Sequence, residues 1–307
     1  MSQGNILVIR GGAIGDFILT LPVLAALREN LPQARVEILV YPRVAPLAVA
    51  SGLAAAARSI EARPLAGFFA ARGPLDEELQ AYFASFAVIL SYLYDPDGIF
   101  QANIERCSRA QFIAGPHRPD ERAALHATDV FLKPLERLAI FDADPSPRLA
   151  LNSQPSTLNS LALHPGSGSE SKNWFESNWS QLLRALVQET TAPLLLIGGE
   201  AEGERLRRLT RELPSERIAL AENLPLVELA QRLAVCRAFV GHDSGITHLA
   251  AAVGLPGLVL WGPSNDVVWR PRSERMKILR GSPGLASLPV EKVLAGVQEM
   301  LAGTTSR

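Results

Sequence analysis

Residues 241–262 read GHDSGITHLAAAVGLPGLVLWG and predict a turn, a helix and a strand in succession. An apolar strand precedes the turn, small residues form the helix, and Leu258–Trp261 form the next strand. In this order, Asp243, Ser244 and Gly245 lie at the N-terminus of the helix. Unpaired backbone N–H groups and the positive end of the helix dipole bind phosphate at such a position. An ordinary N-cap role for Asp243 or Ser244 is the competing interpretation.

The alternation of strand and helix extends over the whole chain. Elements predicted in the first half include two strands and two helices: Asn5–Arg10, Val36–Val40, Phe17–Asn30 and Val44–Ala57. Repeated βαβ units predict parallel sheets whose two faces are covered by helices. The proline-containing stretch 142–156 has little periodicity and indicates a linker between two domains, 1–150 and 151–307.

Composition limits the classes of protein that fit this chain. Its 307 residues are 48% hydrophobic and carry a net charge of −1, which argues against a nucleic-acid partner. Cys107 and Cys236 are too few and too far apart for a disulfide framework, as is typical of a cytoplasmic protein. We find neither a signal peptide nor an apolar run of the ~20 residues that a membrane span needs. A cytoplasmic location is expected, with loose attachment to a membrane surface left open.

The first loop, 10–15, partly imitates the dinucleotide-binding pattern G-x-G-x-x-G, but Arg10 stands in place of the first glycine. The second strand ends Val40-Tyr41-Pro42 without the acidic residue that binds ribose in NAD enzymes, which disfavours a dehydrogenase. Asp16 follows this loop. One interpretation is a first-turn acid stabilised by the helix dipole, and the other is a general base at the mouth of a cleft.

Lys172 follows a loop rich in glycine and serine, 166–171, which comes directly after a strand. It is either a solvated lysine or the charge that neutralises phosphates as a leaving group departs, with Ser167 as a second donor. Two Asp-x-Asp sequences, 95–97 and 142–144, are the pattern of metal-dependent transferases. Each adjoins a proline and is typical of a turn. We therefore predict neither a metal nor a cofactor.

Three segments, in the same order, resemble glycosyltransferase family 9, the ADP-heptose:lipopolysaccharide heptosyltransferases. They read ILVIR at 6–10 with GDFILTLP at 15–22, HPGSG at 164–168 with KNW at 172–174, and DSGITH at 243–248. The resemblance implies the family's GT-B fold, in which two doubly wound Rossmann-like domains face each other across a cleft. Donor and acceptor would bind at the carboxyl ends of the two sheets.

The resemblance also implies roles for individual residues. Asp16 matches the family's general base, and Lys172 matches its lysine for phosphate and sugar. Glu202 matches the acid that binds ribose, and Leu224 lies where the adenine is enclosed. The remaining expected contacts to the nucleotide-sugar are Ser167, Asp243, Ser244, Gly245 and His248. For His248, a buried histidine with no ligand is the competing interpretation. Arg10 is expected to meet an anionic acceptor.

Together these features predict an inverting, metal-independent glycosyltransferase that transfers heptose from ADP-heptose to a lipopolysaccharide core or related glycan. It would act at the cytoplasmic face of the inner membrane, with peripheral contact to that membrane. A family member with another donor or a protein acceptor is one alternative. A catalytically silent protein that binds a sugar nucleotide is another, although an intact Asp16 argues against it.

Overall fold

The computed structural model describes residues 4–151 and 159–303. The chain divides into two compact units between Pro147 and Arg148. The predicted linker, 142–156, spans this division, and its residues 152–156 lie outside the described residues.

Within residues 4–147, the first unit has a five-stranded parallel sheet with helices between its strands. Its elements are β1 (Asn5–Arg10), α1 (Ile14–Asn30), β2 (Val36–Val40), α2 (Ala45–Ala50), β3 (Ala56–Ser59), α3 (Glu77–Ala84), β4 (Phe86–Ser91), α4 (Ile99–Glu105), β5 (Gln111–Ala114) and α5 (Ala127–Leu132). The strand order is β3-β2-β1-β4-β5, so the direction of winding reverses between β1 and β4. In doubly wound folds, ligands bind at the carboxyl ends of the strands at this reversal.

The prediction of one helix over Val44–Ala57 is wrong in its second half. Helix α2 ends at Ala50, and Gly52 then takes φ +68°, a left-handed conformation that suits glycine and stops the helix. The chain then runs beside β2, where the Ala55 backbone N–H donates to the carbonyl of Val36 at 2.8 Å. Strand β3 follows, because sheet pairing overrides the helical propensity of alanine there.

The second unit has a six-stranded parallel sheet with order β11-β10-β9-β6-β7-β8 within its described residues. Its elements are β6 (Leu161–His164), α6 (Glu176–Glu189), β7 (Leu194–Gly198), α7 (Gly203–Thr210), β8 (Ile218–Glu222), α8 (Leu226–Ala234), β9 (Ala238–His242), α9 (Gly245–Ala252), β10 (Gly257–Leu260), α10 (Asp266–Trp269), β11 (Met276–Leu279) and α11 (Val290–Gly303). Winding reverses between β6 and β9. The predicted fold class, α/β with two doubly wound Rossmann-like domains, is confirmed.

The core of the second unit lies between its sheet and the helices α6 and α11. Leu163 and Val240 of neighbouring strands are fully buried, and Val293 of α11 packs in the same cluster. Trp174 and Trp179 complete this cluster with ring centroids 5.7 Å apart, edge to face. These tryptophans are therefore packing residues, and they hold the chain that follows Lys172 against the sheet.

Two expectations from composition concern the cysteines and the membrane. Cys107 and Cys236 are both free thiols. Burial raises the pKa of Cys236 to about 12, so its thiol stays protonated at neutral pH. In the described part of the chain, no helix combines the length and the hydropathy that crossing a membrane requires.

Leu196 of β7 and Leu220 of β8 are register partners that differ in burial. Leu196 is 0% exposed, whereas Leu220 is 40% exposed. Leu196→Ala should lower the free energy of unfolding of the second unit by about 2–5 kcal/mol, because it leaves a cavity in the core. Leu220→Ala is the matched control and should cost under about 1 kcal/mol. All four tryptophans lie in this unit, so their fluorescence during urea unfolding measures the change. Equal losses for the two variants would contradict the assignment of the core.

Candidate active site

Lys172 and Asp243 meet at the reversal point of the second sheet. Lys172 follows β6 and Asp243 follows β9, and the distance from Lys172 Nζ to Asp243 Oδ2 is 2.6 Å. The aspartate side chain is 7% exposed and the lysine side chain 33% exposed. An ammonium group has three protons to donate, so a lysine held by one carboxylate can still donate to a second anion. Asp243 thus holds the Lys172 ammonium group in place while that group keeps protons to donate to a ligand at the surface.

Helix α9 begins beside this pair. Ser244 is its N-cap, and the Ser244 Oγ accepts a hydrogen bond from the Thr247 backbone N–H at 3.3 Å. Gly245 is the first helical residue, so the backbone N–H groups of the first turn point towards the same region as Lys172. His248 lies one turn further along and is 6% exposed. The structure therefore brings Asp243, Ser244 and Gly245 together with Lys172 at one helix N-terminus.

His242 is a site residue that the sequence analysis missed. Its Nε2 accepts from the backbone N–H of Trp174 at 2.9 Å, so Nδ1 carries the proton of the neutral ring. Nδ1 lies 3.3 Å from the carbonyl oxygen of Gly166 and donates to it. One buried imidazole thus holds both ends of the loop that carries Lys172. Its position at the carboxyl end of β9, next to Asp243, was a signal, but its partners are 68 and 76 residues away in sequence.

Two buried histidines beneath the loop are neutral. Burial lowers the pKa of His242 to about 4, and the hydrogen bond to Gly166 opposes that shift. Burial, together with the neighbouring His242, lowers the pKa of His164 to about 3. The His164 Nδ1 lies 3.3 Å from Ser244 Oγ, so the neutral ring also contacts the cap of α9.

Of the other predicted donor-site residues, Ser167 lies in the same loop and Glu202 packs against it. Ser167 Oγ lies 2.7 Å from Asn173 Oδ1 and 2.8 Å from the carbonyl oxygen of Ser169, so its hydroxyl donates within the loop. Glu202 accepts from the Gly199 backbone N–H at 2.9 Å and borders a cavity of about 270 Å³ that Asn173 also lines. Leu224 is half-buried after β8.

Glycine is required where the loop meets Glu202. A Cβ on Gly166 would lie 2.6 Å from Glu202 Cγ, closer than real Cβ atoms approach. The glycine therefore allows the Glu202 side chain to pack directly against the backbone of the Lys172 loop. Glu202 and Lys172, which are 30 residues apart in sequence, are in this way brought to the same side of the sheet.

Arg10 is buried at the reversal point of the first sheet and is 2% exposed. Its Nη2 lies 3.3 Å from Asp16 Oδ1, its Nη1 donates to the carbonyl of His117 at 2.8 Å, and its guanidinium stacks 4.4 Å from the centre of the Phe131 ring. Burial lowers the pKa of Arg10, and the Asp16 carboxylate opposes that shift. Arg10 therefore fixes the position of Asp16 relative to the segment that follows β5.

The Asp16 carboxylate has two roles available to it. Its Oδ2 accepts from the Ala13 backbone N–H at 2.8 Å, which is the capping contact expected of a first-turn acid. Its side chain is also 28% exposed, so the carboxylate reaches solvent. Gly12 takes φ +94°, and a Cβ there would lie 2.6 Å from Asp16 Oδ2. The glycine thus lets the loop close tightly around the carboxylate without covering it.

The two Asp-x-Asp sequences form turns and caps. Asp95 accepts from the backbone N–H groups of Phe100 and Gln101 at 3.1 and 3.0 Å, at the start of α4. Asp144 accepts from the Ser146 backbone N–H at 2.9 Å. Among residues 4–151 and 159–303, no three His, Cys, Asp or Glu side chains are grouped so that they could hold a metal ion.

Comparison with known proteins identifies the family. Residues 124–292 match the model of glycosyltransferase family 9 (heptosyltransferase), which is more than half of the chain. The chain belongs to glycosyltransferase family 9. It is a glycosyltransferase, as its motifs predicted. The matched residues of this glycosyltransferase include Lys172 and Asp243, whereas Asp16 lies N-terminal to them.

Curated relatives of the glycosyltransferase include lipopolysaccharide heptosyltransferases. Lipopolysaccharide heptosyltransferase 1 of Pseudomonas aeruginosa is 36% identical over 132 residues, which are 43% of this chain and 33% of that relative. Lipopolysaccharide heptosyltransferase 3 of Escherichia coli is 22% identical over 348 aligned positions, covering 95% of this chain and 98% of that relative. The more similar alignment thus spans a third of the relative's length, and the full-length one is more distant.

Solved structures share the fold of the glycosyltransferase. The family 9 glycosyl transferase of Veillonella parvula superposes with a TM-score of 0.80 at 16% identity, covering 99% of this chain and 98% of that one. Escherichia coli heptosyltransferase WaaC with ADP gives 0.77 at 17% identity, covering 96% and 99%. At these identities, the likeness establishes the two-domain fold alone.

The buried histidines predict how stability depends on pH. Their folded pKa values lie below the usual value of about 6.5, so the stability that comes from neutral His164 and His242 is present above pH 6.5. It is lost as the pH falls towards 4 for His242 and towards 3 for His164, by up to about 1.4 kcal/mol per pH unit for each histidine. Urea unfolding between pH 7 and pH 5 measures this loss. Their ring-proton NMR signals should keep neutral positions at pH 5, and signals that move to imidazolium positions by pH 5.5 would contradict the assignment.

Proposed function

We propose that this glycosyltransferase transfers heptose from ADP-heptose to a lipopolysaccharide core or related glycan, with inversion and without a metal ion. The observation that carries the proposal is the Lys172–Asp243 ion pair, 2.6 Å long, beside the N-terminus of α9. A diphosphate leaving group develops negative charge as its bond to the sugar breaks. A positioned ammonium group and a helix N-terminus can stabilise that charge without a metal ion.

The donor site is assigned to the second domain, 151–307. Lys172 contacts the diphosphate and the sugar, and the first turn of α9 binds the phosphates with Ser244 and Gly245. Glu202 binds the ribose at the end of the next strand, and Leu224 encloses the adenine. Ser167 and His248 complete the site around the loop and helix. The names of the curated relatives, and the ADP present in the WaaC structure, support ADP-heptose as the donor.

Asp16 is the general base in this proposal. Its carboxylate takes the proton of the acceptor hydroxyl, whose oxygen attacks the anomeric carbon from the side opposite the diphosphate. The bond between sugar and diphosphate breaks at the same time, so ADP leaves and the configuration inverts. Arg10 is 2% exposed, so we assign it to positioning Asp16 in place of the expected contact with an anionic acceptor.

The first domain, 1–150, is accordingly assigned to the acceptor. Because a glycolipid acceptor would lie in a membrane, we also propose a location at the cytoplasmic face of the inner membrane, with peripheral contact. Another donor or a protein acceptor would keep Asp16 and Lys172 in the same roles, and tests with different nucleotides distinguish the donor. A silent binding protein would keep nucleotide affinity and have no activity that depends on Asp16.

Asp16→Asn should greatly lower the rate of transfer and leave the protein folded. Asparagine caps a helix about as well as aspartate, so the melting temperature should change little. It cannot take the proton, and loss of a general base costs on the order of 10²–10⁴ in rate. Transfer from ADP-heptose and ADP binding are measured on the same preparation, and ADP binding should persist because its contacts lie in the other domain.

Asp76→Asn is the matched control, because Asp76 caps α3 by accepting from the Leu79 backbone N–H at 3.0 Å. It should keep full activity. If Asp16→Asn also keeps full activity, or if it unfolds the protein, Asp16 is a capping residue and the base lies elsewhere.

ADP compounds should raise the melting temperature more than UDP, GDP or NAD compounds, in buffer containing EDTA. A ligand at ~100 times its Kd stabilises a protein by ~2.7 kcal/mol, which a thermal shift detects. Lys172→Ala should reduce this shift and also lower kcat, because the charge is needed most as the diphosphate departs.

Lys277→Ala is the control for this substitution, since Lys277 is a surface lysine paired with Glu299 at 2.9 Å. It should leave both the shift and kcat unchanged. Equal stabilisation by UDP-sugars would overturn the adenine assignment, and a Lys172→Ala variant that behaves like Lys277→Ala would make Lys172 a solvated residue.

A further inference from the structure

Tyr94 is an exposed aromatic residue that has no role in the proposed function. It follows β4 in the first unit, and 70% of the residue is exposed. Its ring packs edge-on to the ring of His117, with centroids 4.6 Å apart and planes at 61°. A tyrosine ring exposed to this extent contributes little to the core and is accessible to a ligand.

The Tyr94–His117 pair lies beside Asp16. The first sheet reverses its winding between β1 and β4, and Asp16 follows β1 whereas Tyr94 follows β4. A Cβ on Gly11 would lie 3.4 Å from Leu93 Cδ2, so the loop leading to Asp16 contacts the residue before Tyr94. The same guanidinium, that of Arg10, contacts the Asp16 carboxylate and the carbonyl of His117.

The backbone on both sides of Tyr94 is held in place. Before it, the buried Tyr92 donates its hydroxyl proton to the carbonyl of Phe131. After it, the Asp95 carboxylate accepts two backbone hydrogen bonds at the start of α4. An exposed ring on a fixed backbone loses little conformational freedom when it binds a ligand, which favours affinity.

We propose that the Tyr94–His117 pair stacks against the apolar face of a sugar ring in the acceptor and holds its hydroxyl towards Asp16. One face of a pyranose carries C–H groups, which suit the negative face of an aromatic ring, while its hydroxyl groups stay at the rim. The assignment rests on the proposed function, because it takes Asp16 as the base. It adds a residue that selects the acceptor and has no part in proton transfer.

Kinetics with ADP-heptose and a deacylated lipopolysaccharide core oligosaccharide test the pair. Tyr94→Ala should raise the KM for the oligosaccharide about tenfold, the size expected for one lost aromatic contact. The kcat at saturating oligosaccharide and the KM for ADP-heptose should stay within about twofold of wild type. Tyr94→Phe keeps the ring and should behave as wild type. Phe141→Ala removes an equally exposed aromatic residue, 70% exposed, and should change nothing.

Direct binding of the oligosaccharide, followed by saturation-transfer NMR without donor, separates this proposal from the proposed function. In one outcome, wild type transfers no heptose and still binds the oligosaccharide. If Tyr94→Ala then weakens that binding about tenfold, the role of the Tyr94–His117 pair in binding the acceptor is supported and the donor assignment is wrong. The pair is overturned if Tyr94→Ala leaves the oligosaccharide KM and binding unchanged, if Tyr94→Phe loses as much as Tyr94→Ala, or if wild type binds no oligosaccharide.

Discussion

Parallel pairing is the constraint on which both candidate sites depend. All strands of a parallel sheet have their carboxyl ends at the same edge, so the loops that follow them meet there whatever their distance in sequence. In the second unit, this brings Lys172 to Asp243 across 71 residues, and in the first it brings the Arg10 guanidinium to the His117 carbonyl across 107. At each reversal of winding the loops diverge to opposite sides of the sheet, which leaves space for a ligand between them.

In each candidate site, one buried polar side chain holds the functional residue or its loop in place. Arg10 holds Asp16 in the first unit, and His242 holds the Lys172 loop in the second. Burying a charge or an imidazole is costly unless its hydrogen bonds are satisfied, and both groups are satisfied by contacts to residues of the site. The groups that face solvent, Asp16 and Lys172, are thereby fixed in direction without being covered. A site built in this way is positioned before a substrate arrives.

The two candidate sites present different chemical groups. The Lys172 ammonium group and the N-terminus of α9 offer N–H donors, which suit a diphosphate, and the Asp16 carboxylate suits a hydroxyl that must lose a proton. Asp243 keeps the lysine from a freely moving, solvated state, because a 2.6 Å ion pair with a buried carboxylate restricts the ammonium group to one place. In the proposed function, the nucleotide-sugar and the acceptor are therefore assigned to different α/β units.

Sequence by itself determined the alternation of elements and the two doubly wound units, since these depend on local periodicity. Lys172 and Asp243 were singled out by the resemblance of their motifs to family 9. Prediction from sequence failed where tertiary contacts override local preference. The alanines after Gly52 pair beside β2 as a strand. The burial of Arg10 against Phe131 was not predicted, and neither were the contacts of His242 and Tyr94, because their partners are remote in sequence. Only the folded sheets, by aligning the carboxyl ends of distant strands, decided which side chains meet.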